Sequence, residues 1–183
     1  MKVERIDWHS YFMLIAKVAS LRSGCNDRKT GAVIVKDHRV LSTGYNGSLP
    51  GQPQCTDLGP NYCFRRSQNI TDNDKYNFCP AIHAEANAIN QAACFGPAIK
   101  GSAIYCTLEP CYVCLKSIVS VGISEIYFEL SYDSLNKERD NHWKNEIENT
   151  VKIWKQITIP SKFNLLINSL TEISSRRQFK PTL

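Results

Sequence analysis

A layered α/β fold, with helices packed on a sheet, is predicted by three features of the 183-residue sequence. Segments of strand character and segments of helix character alternate through its middle, the order expected where helices cover a sheet. The strand-like segments are short apolar runs bounded by Gly, Pro, Asn or Asp. The helix-like segments space their apolar residues at the helical period and stop at Gly. A hydrophobic share of 43% is enough for a globular core. The length suits one domain with room for an extension.

The elements follow in order. "IDWHSYFMLIAKVASLRS" places Ile6, Phe12, Met13, Ile15, Ala16 and Ala19 in a helical pattern. "GAVIVKD" and "VLSTGYN", on either side of a polar turn at Asp37–Arg39, read as paired strands. From Gly47 to Pro80 the chain is rich in Gly, Pro, Asn, Asp and Cys. That is too long for an ordinary connection, so the stretch is functional or pinned by something. "HAEANAINQAACFG" is a helix stopping at Gly96–Pro97, and "SAIYCTLEP" is a strand ending at Pro110. "CYVCLKSIVSVG" is a helix ending at Gly122, and "SEIYFEL" is another strand. From Ser134 on, "LNKERDNHWKNEIENTVKIWKQI" is expected to be an amphipathic helix. The chain thus divides into a body over 1–133, with an insert at 47–80, and a helical extension over 134–183 whose role is open.

Composition narrows the function classes. No apolar run reaches the length of a membrane span, and the start "MKVERIDWHS" lacks the apolar stretch of a signal peptide. A cytoplasmic location is expected. Eight cysteines in that setting point to metal ligands or buried thiols rather than disulfides. Residues 134–183 hold nine Lys/Arg against five Asp/Glu, which accounts for four of the net charge of +5. Such a mildly basic tail does not by itself argue for nucleic acid.

The chemistry-bearing residues cluster at two predicted helix starts. Cys111 and Cys114 follow Pro110 at a spacing that points both thiols from one face of a first helical turn. The positive end of a helix favours thiolates, the form that zinc needs. His83, at the other helix start, fills a third position and leaves the fourth to water, as in catalytic zinc sites. Glu85 lies two residues beyond His83, within reach of that water without being a ligand. Hydrolysing a ring amine needs a hydroxide at neutral pH and a group that returns its proton to the ring and then to the leaving ammonia. That role falls to Glu85. Cys94 and Cys106 lie in apolar patterns and are expected to be core thiols. His9, His38 and His142 are expected at the surface or in structural roles, and Glu109 is expected to face solvent.

The ordered set "GAVIVKDHRVLSTGYNG", a cysteine-bearing insert, "CPAIHAEANAINQA", "GSAIYCTLEPCYVC" and "GISEIYFELSYDS" resembles the deoxycytidylate (dCMP) deaminase family over about residues 7–134. The His-x-Glu and Pro-Cys-x-x-Cys motifs are shared by zinc deaminases generally. "GYNG" with the long insert is what selects the nucleotide branch. The resemblance implies a cytidine deaminase-like three-layer fold with a five-stranded mixed sheet flanked by helices. It implies conversion of dCMP to dUMP with release of ammonia, a catalytic zinc, hexamers, and dCTP and dTTP as effectors. It also implies that Asn46 hydrogen-bonds the deoxyribose and that Tyr132 lies beside the pyrimidine. Cysteines like Cys25, Cys55 and Cys79 bind a second, structural zinc in bacterial-type members, and Cys63 completes a four-Cys set here. Arg65 and Arg66, in the insert, are the phosphate candidates, with Arg28 and Lys29 as alternatives.

The sequence departs from the family at "SLPGQ" after "GYNG", where many members carry Arg or Asn, and after Tyr132, where family members are short. Other readings remain at this stage. One is a deaminase acting on dCTP or on a base within tRNA or single-stranded DNA, with Arg176, Arg177, Phe179 and Lys180 as a basic, aromatic tail. The other is a non-catalytic zinc-fold scaffold, for which Glu85 would have no use.

Overall fold

The computed structural model describes residues 5–70, 78–132, 142 and 145–163. The basic, aromatic run at 176–180 and most of the expected extension lie outside these residues. In chain order the named elements are α1 (Trp8–Ser20), β1 (Gly31–Lys36), β2 (Arg39–Tyr45), α2 (Phe64–Ser67), α3 (Ala84–Phe95), β3 (Ala103–Leu108), α4 (Tyr112–Ser120), β4 (Glu125–Leu130) and β5 (Ile153–Gln156). They match the expected order from α1 to β4, with the short α2 added inside the insert.

The described residues form one mixed sheet in the order β2-β1-β3-β4-β5. β1 runs antiparallel to both β2 and β3, whereas β3–β4 and β4–β5 are parallel. The β1–β2 hairpin turns at Asp37 and His38, both with positive φ (50° and 59°), as a tight turn matching strand twist requires. β1 is buried along nearly its whole length because both faces of the sheet are covered. On one face Ala32, Ile34, Ile104 and Ile126 pack against Ala84 and Ala88 of α3 and Leu115 and Ile118 of α4. On the other, Val33, Val35, Tyr105 and Tyr127 pack against Phe12, Met13 and Ala16 of α1 and against Ile159. The result is three layers.

Two expectations are corrected. The span read as one long helix beyond Ser134 carries helical residues at 145–148 and then β5, paired in parallel with β4. The sheet therefore takes its fifth strand from beyond residue 133. The pattern allows both readings. Ile147, Val151 and Trp154 fall at helical spacing, yet all three pack on the α3/α4 face while Ile153 and Ile157 pack on the α1 face. The open edge of β4 decides, by offering backbone partners such as Phe128 O for Ile157 N–H at 2.8 Å. Cys94 is exposed on α3 rather than in the core, whereas Cys106 is buried as expected.

α3 is seated on β2 by two devices. The Asn87 side-chain amide donates to Tyr45 O at 2.7 Å, and Gln91 Oε1 accepts from Thr43 N–H at 2.7 Å. Beneath them Gly44 lets the helix backbone approach the strand. A Cβ there would collide with Ala84 O and Ala88 N. The insert is pinned as well. The Asn26 carboxamide donates to the carbonyls of Cys55, Gly59 and Tyr62 at 2.8–3.0 Å. Thr56 N–H bonds Gly24 O, and Gly47 pairs with Ile82 as an isolated bridge.

Gly44→Ala is expected to destabilise the chain by about 2 kcal/mol or more, because neither the strand nor the helix backbone can yield cheaply. Urea unfolding measures this, and an unchanged midpoint would contradict the seating of α3 described here.

Candidate active site

The site is built where α3 and α4 begin. Each helix is preceded by an extended N-cap residue, His83 for α3 and Cys111 for α4, and neither side chain makes a capping hydrogen bond. Ser, Thr, Asp or Asn would cap better. His and Cys occupy these positions with their side chains turned to another use. β3 delivers Cys111 through Pro110, and the Gly47–Ile82 bridge fixes the residue before His83.

The three side chains converge. His83 Nδ1 lies 3.5 Å from Cys111 Sγ and 3.4 Å from Cys114 Sγ. One donor atom from each residue lies within 4.8 Å of the others, and among the described residues this is the group of metal-ligating type that gathers so closely. The edges of a zinc tetrahedron with ~2.3 Å Zn–S and ~2.0 Å Zn–N bonds are about 3.5 Å for S···N, so the donor set and its spacing fit zinc. Cys111 and Cys114 are buried. The Cys111 thiol is held below its usual range by the hydrogen bond from Cys114, with His83 adding to the effect against the cost of burial. A thiolate is therefore favoured where a metal needs one.

Glu85 sits in the first turn of α3 and is buried, with 7% of its surface exposed. Burial pushes its carboxyl up to about 7, and the Cys111 thiolate pushes the same way, against the His83 imidazole. A carboxyl poised near neutrality can both take and give a proton.

The remaining predicted residues fall into separate places. Asn46 is buried at the end of β2, one residue before the Gly47–Ile82 bridge. Tyr132 packs against the core cluster that contains Cys111 and Cys114. Cys25, Cys55, Cys63 and Cys79 line one cavity of about 50 Å³ together with Asp27 and Arg65. No three of their sulfurs come within 4.8 Å of one another. Burial raises the thiols of Cys25 and Cys79. Arg65 and Arg66 are both paired with Asp27, at 3.4 and 2.8 Å. Lys29 is exposed, and Arg28 offers its carbonyl to Asn46. His9 bonds the Tyr105 hydroxyl and His38 stacks on Trp8, both away from the convergent trio.

Glu109 was expected in solvent and is instead buried, with 8% exposed. Its carboxylate accepts from Tyr132 N–H at 2.9 Å while its own N–H donates to Leu130 O at 2.8 Å. It thereby fastens the segment bearing Tyr132 to the peptide that leads into Cys111. Its place just before Pro-Cys was the one signal for this in the sequence.

A His-Cys-Cys centre with a buried carboxyl beside it, at two helix starts on a mixed sheet, is the arrangement of a zinc-dependent hydrolytic deaminase. The family profile for the cytidine and deoxycytidylate deaminase zinc-binding region matches residues 6–130. The chain belongs to the cytidine and deoxycytidylate deaminase family. It is 40% identical over 131 residues to the deoxycytidylate deaminase of Mycobacterium phage D29, covering 69% of this chain and 97% of that protein. It is 39% identical over 134 residues to ComE operon protein 2 of Bacillus subtilis, covering 71% of this chain but 63% of that protein, less than two thirds of its length. The structure of the cyanophage S-TIM5 dCMP deaminase in complex with dCMP and dUMP superposes with a TM-score of 0.63 at 24% identity, over 85% of this chain and all of that one. That likeness carries the fold: a five-stranded mixed sheet flanked by helices, as expected.

Cys111→Ala is expected to empty this centre of zinc, and Glu85→Ala to keep it, since the carboxyl is not among the converging donors. Metal analysis of the two purified variants separates the roles, and a Glu85→Ala protein without zinc would make Glu85 a ligand.

Proposed function

We propose that the chain is a zinc-dependent dCMP deaminase, hydrolysing dCMP to dUMP and ammonia. The observation that carries this is Glu85, a buried carboxyl held near neutrality beside the converging donors of His83, Cys111 and Cys114. Zinc held by those three residues supplies the acidity that lets water act as a nucleophile at neutral pH. Glu85 takes one proton from the water that adds to C4 and passes it to N3 of the cytosine; it then carries the proton of the C4 hydroxyl to the 4-amino nitrogen, so that the C4–N bond breaks, the C4 carbonyl forms and ammonia leaves. Cys106, Cys111 and Cys114 belong to the buried core cluster beside Glu85, so the carboxyl faces little bulk water that could compete for that proton.

The choice of dCMP among cytosine compounds is supported by the D29 relative, which matches over nearly its whole length and is named a deoxycytidylate deaminase. In this reading Asn46 holds the deoxyribose and Tyr132 flanks the ring. The phosphate is met by the basic set Arg28, Lys29, Arg65 and Arg66, of which Lys29 and Arg66 are exposed and the two insert arginines share Asp27. We further assign a structural zinc to Cys25, Cys55, Cys63 and Cys79. The support is that thiols from four separate points of the chain line one small cavity, where a closed thiolate site pins the insert. The arrangement is a cytoplasmic homo-oligomer, a hexamer by resemblance, with dCTP and dTTP as effectors. Among the described residues no helix is long and apolar enough to cross a membrane.

Two measurements test this reading. The kcat/KM for dCMP should exceed that for deoxycytidine by roughly 10- to 150-fold, the size of one charge-assisted phosphate contact. Equal values would remove the nucleotide assignment; turnover confined to dCTP or to a polynucleotide would move the substrate there. Metal analysis should find two zinc ions per chain, one of them lost in the Cys55→Ser variant while the catalytic one stays. A single zinc with freely titrating Cys25, Cys55, Cys63 and Cys79 would end the structural-site assignment.

A further inference from the structure

Three neighbours together hold the side chain of Asn46. Its Oδ1 lies 2.9 Å from the backbone N–H of Thr30, which can only donate. Its Nδ2 lies 2.8 Å from the backbone carbonyl of Arg28, which can only accept. Those two contacts assign oxygen and nitrogen of the carboxamide without reference to any ligand. The Ser23 hydroxyl then completes the set. It accepts from Cys25 N–H at 3.1 Å and donates to Asn46 Oδ1 at 2.6 Å. Both lone pairs of Oδ1 are filled. Among the described residues, the second Nδ2 hydrogen has no partner, so Asn46 has one capability left, and it is donation.

This knot sits beside the catalytic centre. Asn46 is followed by Gly47, whose N–H and C=O pair with Ile82, the residue before His83. Ser23 and Asn46 are both buried, at 6% and 8% exposure, so water does not substitute for these contacts freely.

We propose that Ser23 is a positioning residue for the deamination reaction: by holding Asn46 Oδ1 it makes Asn46 a pure donor, and so makes the site select a substrate with a hydroxyl oxygen at that point of the sugar. The proposal rests on the reading that Asn46 meets the deoxyribose. Without the Ser23 hydroxyl, Oδ1 is left with a free lone pair in a buried position, and the carboxamide gains a reason to rotate or to recruit water. Held only by Thr30 N–H and Arg28 C=O, its remaining hydrogen is then less closely aimed. The same hydroxyl accepts the Cys25 amide, so the backbone of the cysteine-lined cavity and the sugar contact share one atom.

The test uses full-length, zinc-loaded enzyme with two substrates, dCMP and its 3′-deoxy analogue, 2′,3′-dideoxycytidine monophosphate. The readout is the ratio of their kcat/KM values. Wild type is expected to favour dCMP by roughly tenfold, the weight of a hydrogen bond between neutral groups in a closed site. Ser23→Ala is expected to lower that ratio to about 2, through KM for dCMP, with kcat/KM for the dideoxy substrate and the zinc content little changed. Ser23→Thr and Ser23→Val have the same shape and differ in the hydroxyl alone. The Thr variant should keep the wild-type ratio and the Val variant should lose it, whatever the added methyl costs in stability. A Ser23→Ala or Ser23→Val enzyme that slows on both substrates equally would make Ser23 a structural residue and overturn the proposal while leaving Asn46 at the sugar. A wild-type enzyme that does not distinguish the two substrates would overturn the sugar contact itself, and the proposal with it, without touching the assignment of dCMP deamination.

Discussion

Two helices that begin at one point are the constraint on which the rest of this chain depends. The donor atoms of His83, Cys111 and Cys114 meet only if α3 and α4 start within a few ångströms of each other. Every larger feature of the fold serves that meeting. β3 ends at Leu108 and delivers Cys111 through Glu109 and Pro110, and Gly44 lets α3 lie close on β2, where His83 begins the helix. Both N-cap positions give up a capping hydrogen bond of about 1 kcal/mol. Local helix stability is spent at the two places where the chemistry needs an imidazole and a thiolate. The carboxyl of Glu85 shows the same ordering of priorities. An acidic residue in a first helical turn is ordinarily stabilised as an anion, but here burial prevails and holds it near neutrality.

Most of this was legible in the sequence because the elements around the site are local in character. α1, the hairpin, α3, β3, α4 and β4 each carry their own period and their own stop signal, and the motif residues fall at helix starts that the pattern itself marks. The failures have a common cause. β5 is a four-residue strand whose apolar residues also satisfy a helical spacing, and its state is decided by the open edge of β4 rather than by its own sequence. Glu109 looks like a surface carboxylate until the backbone of Tyr132 is brought against it. Cys94 occupies a helical position that happens to face outward. For β5 and Glu109 the deciding partner lies more than twenty residues away, where periodicity says nothing.

The loop after α1 is the other organising element, and it works through polar groups. Ser23 and Asn26 stand three residues apart and reach in different directions. Ser23 holds the carboxamide at the end of β2, whereas Asn26 gathers three carbonyls of the insert. A stretch without secondary structure of its own is thereby given fixed ends and a fixed middle. Backbone carbonyls of a long irregular segment must find donors when they turn inward, and the two N–H groups of one side-chain amide are shared among three of them. In the described part of the insert, Cys55, Gly59 and Tyr62 are held by such polar contacts.

The side chains of Asn87 and Gln91 have a consequence beyond seating α3. Among the described residues β2 is an outer strand of the sheet, and outer strands expose backbone groups on which another chain can build. Here the carbonyl of Tyr45 and the amide of Thr43 are already occupied by the helix lying above them. An incoming strand would have to break both bonds and lift α3, and lifting α3 would pull His83 away from the two cysteines. The contacts that seat α3 and bring His83 to the two cysteines therefore also occupy part of this flank of the sheet, at Thr43 and Tyr45.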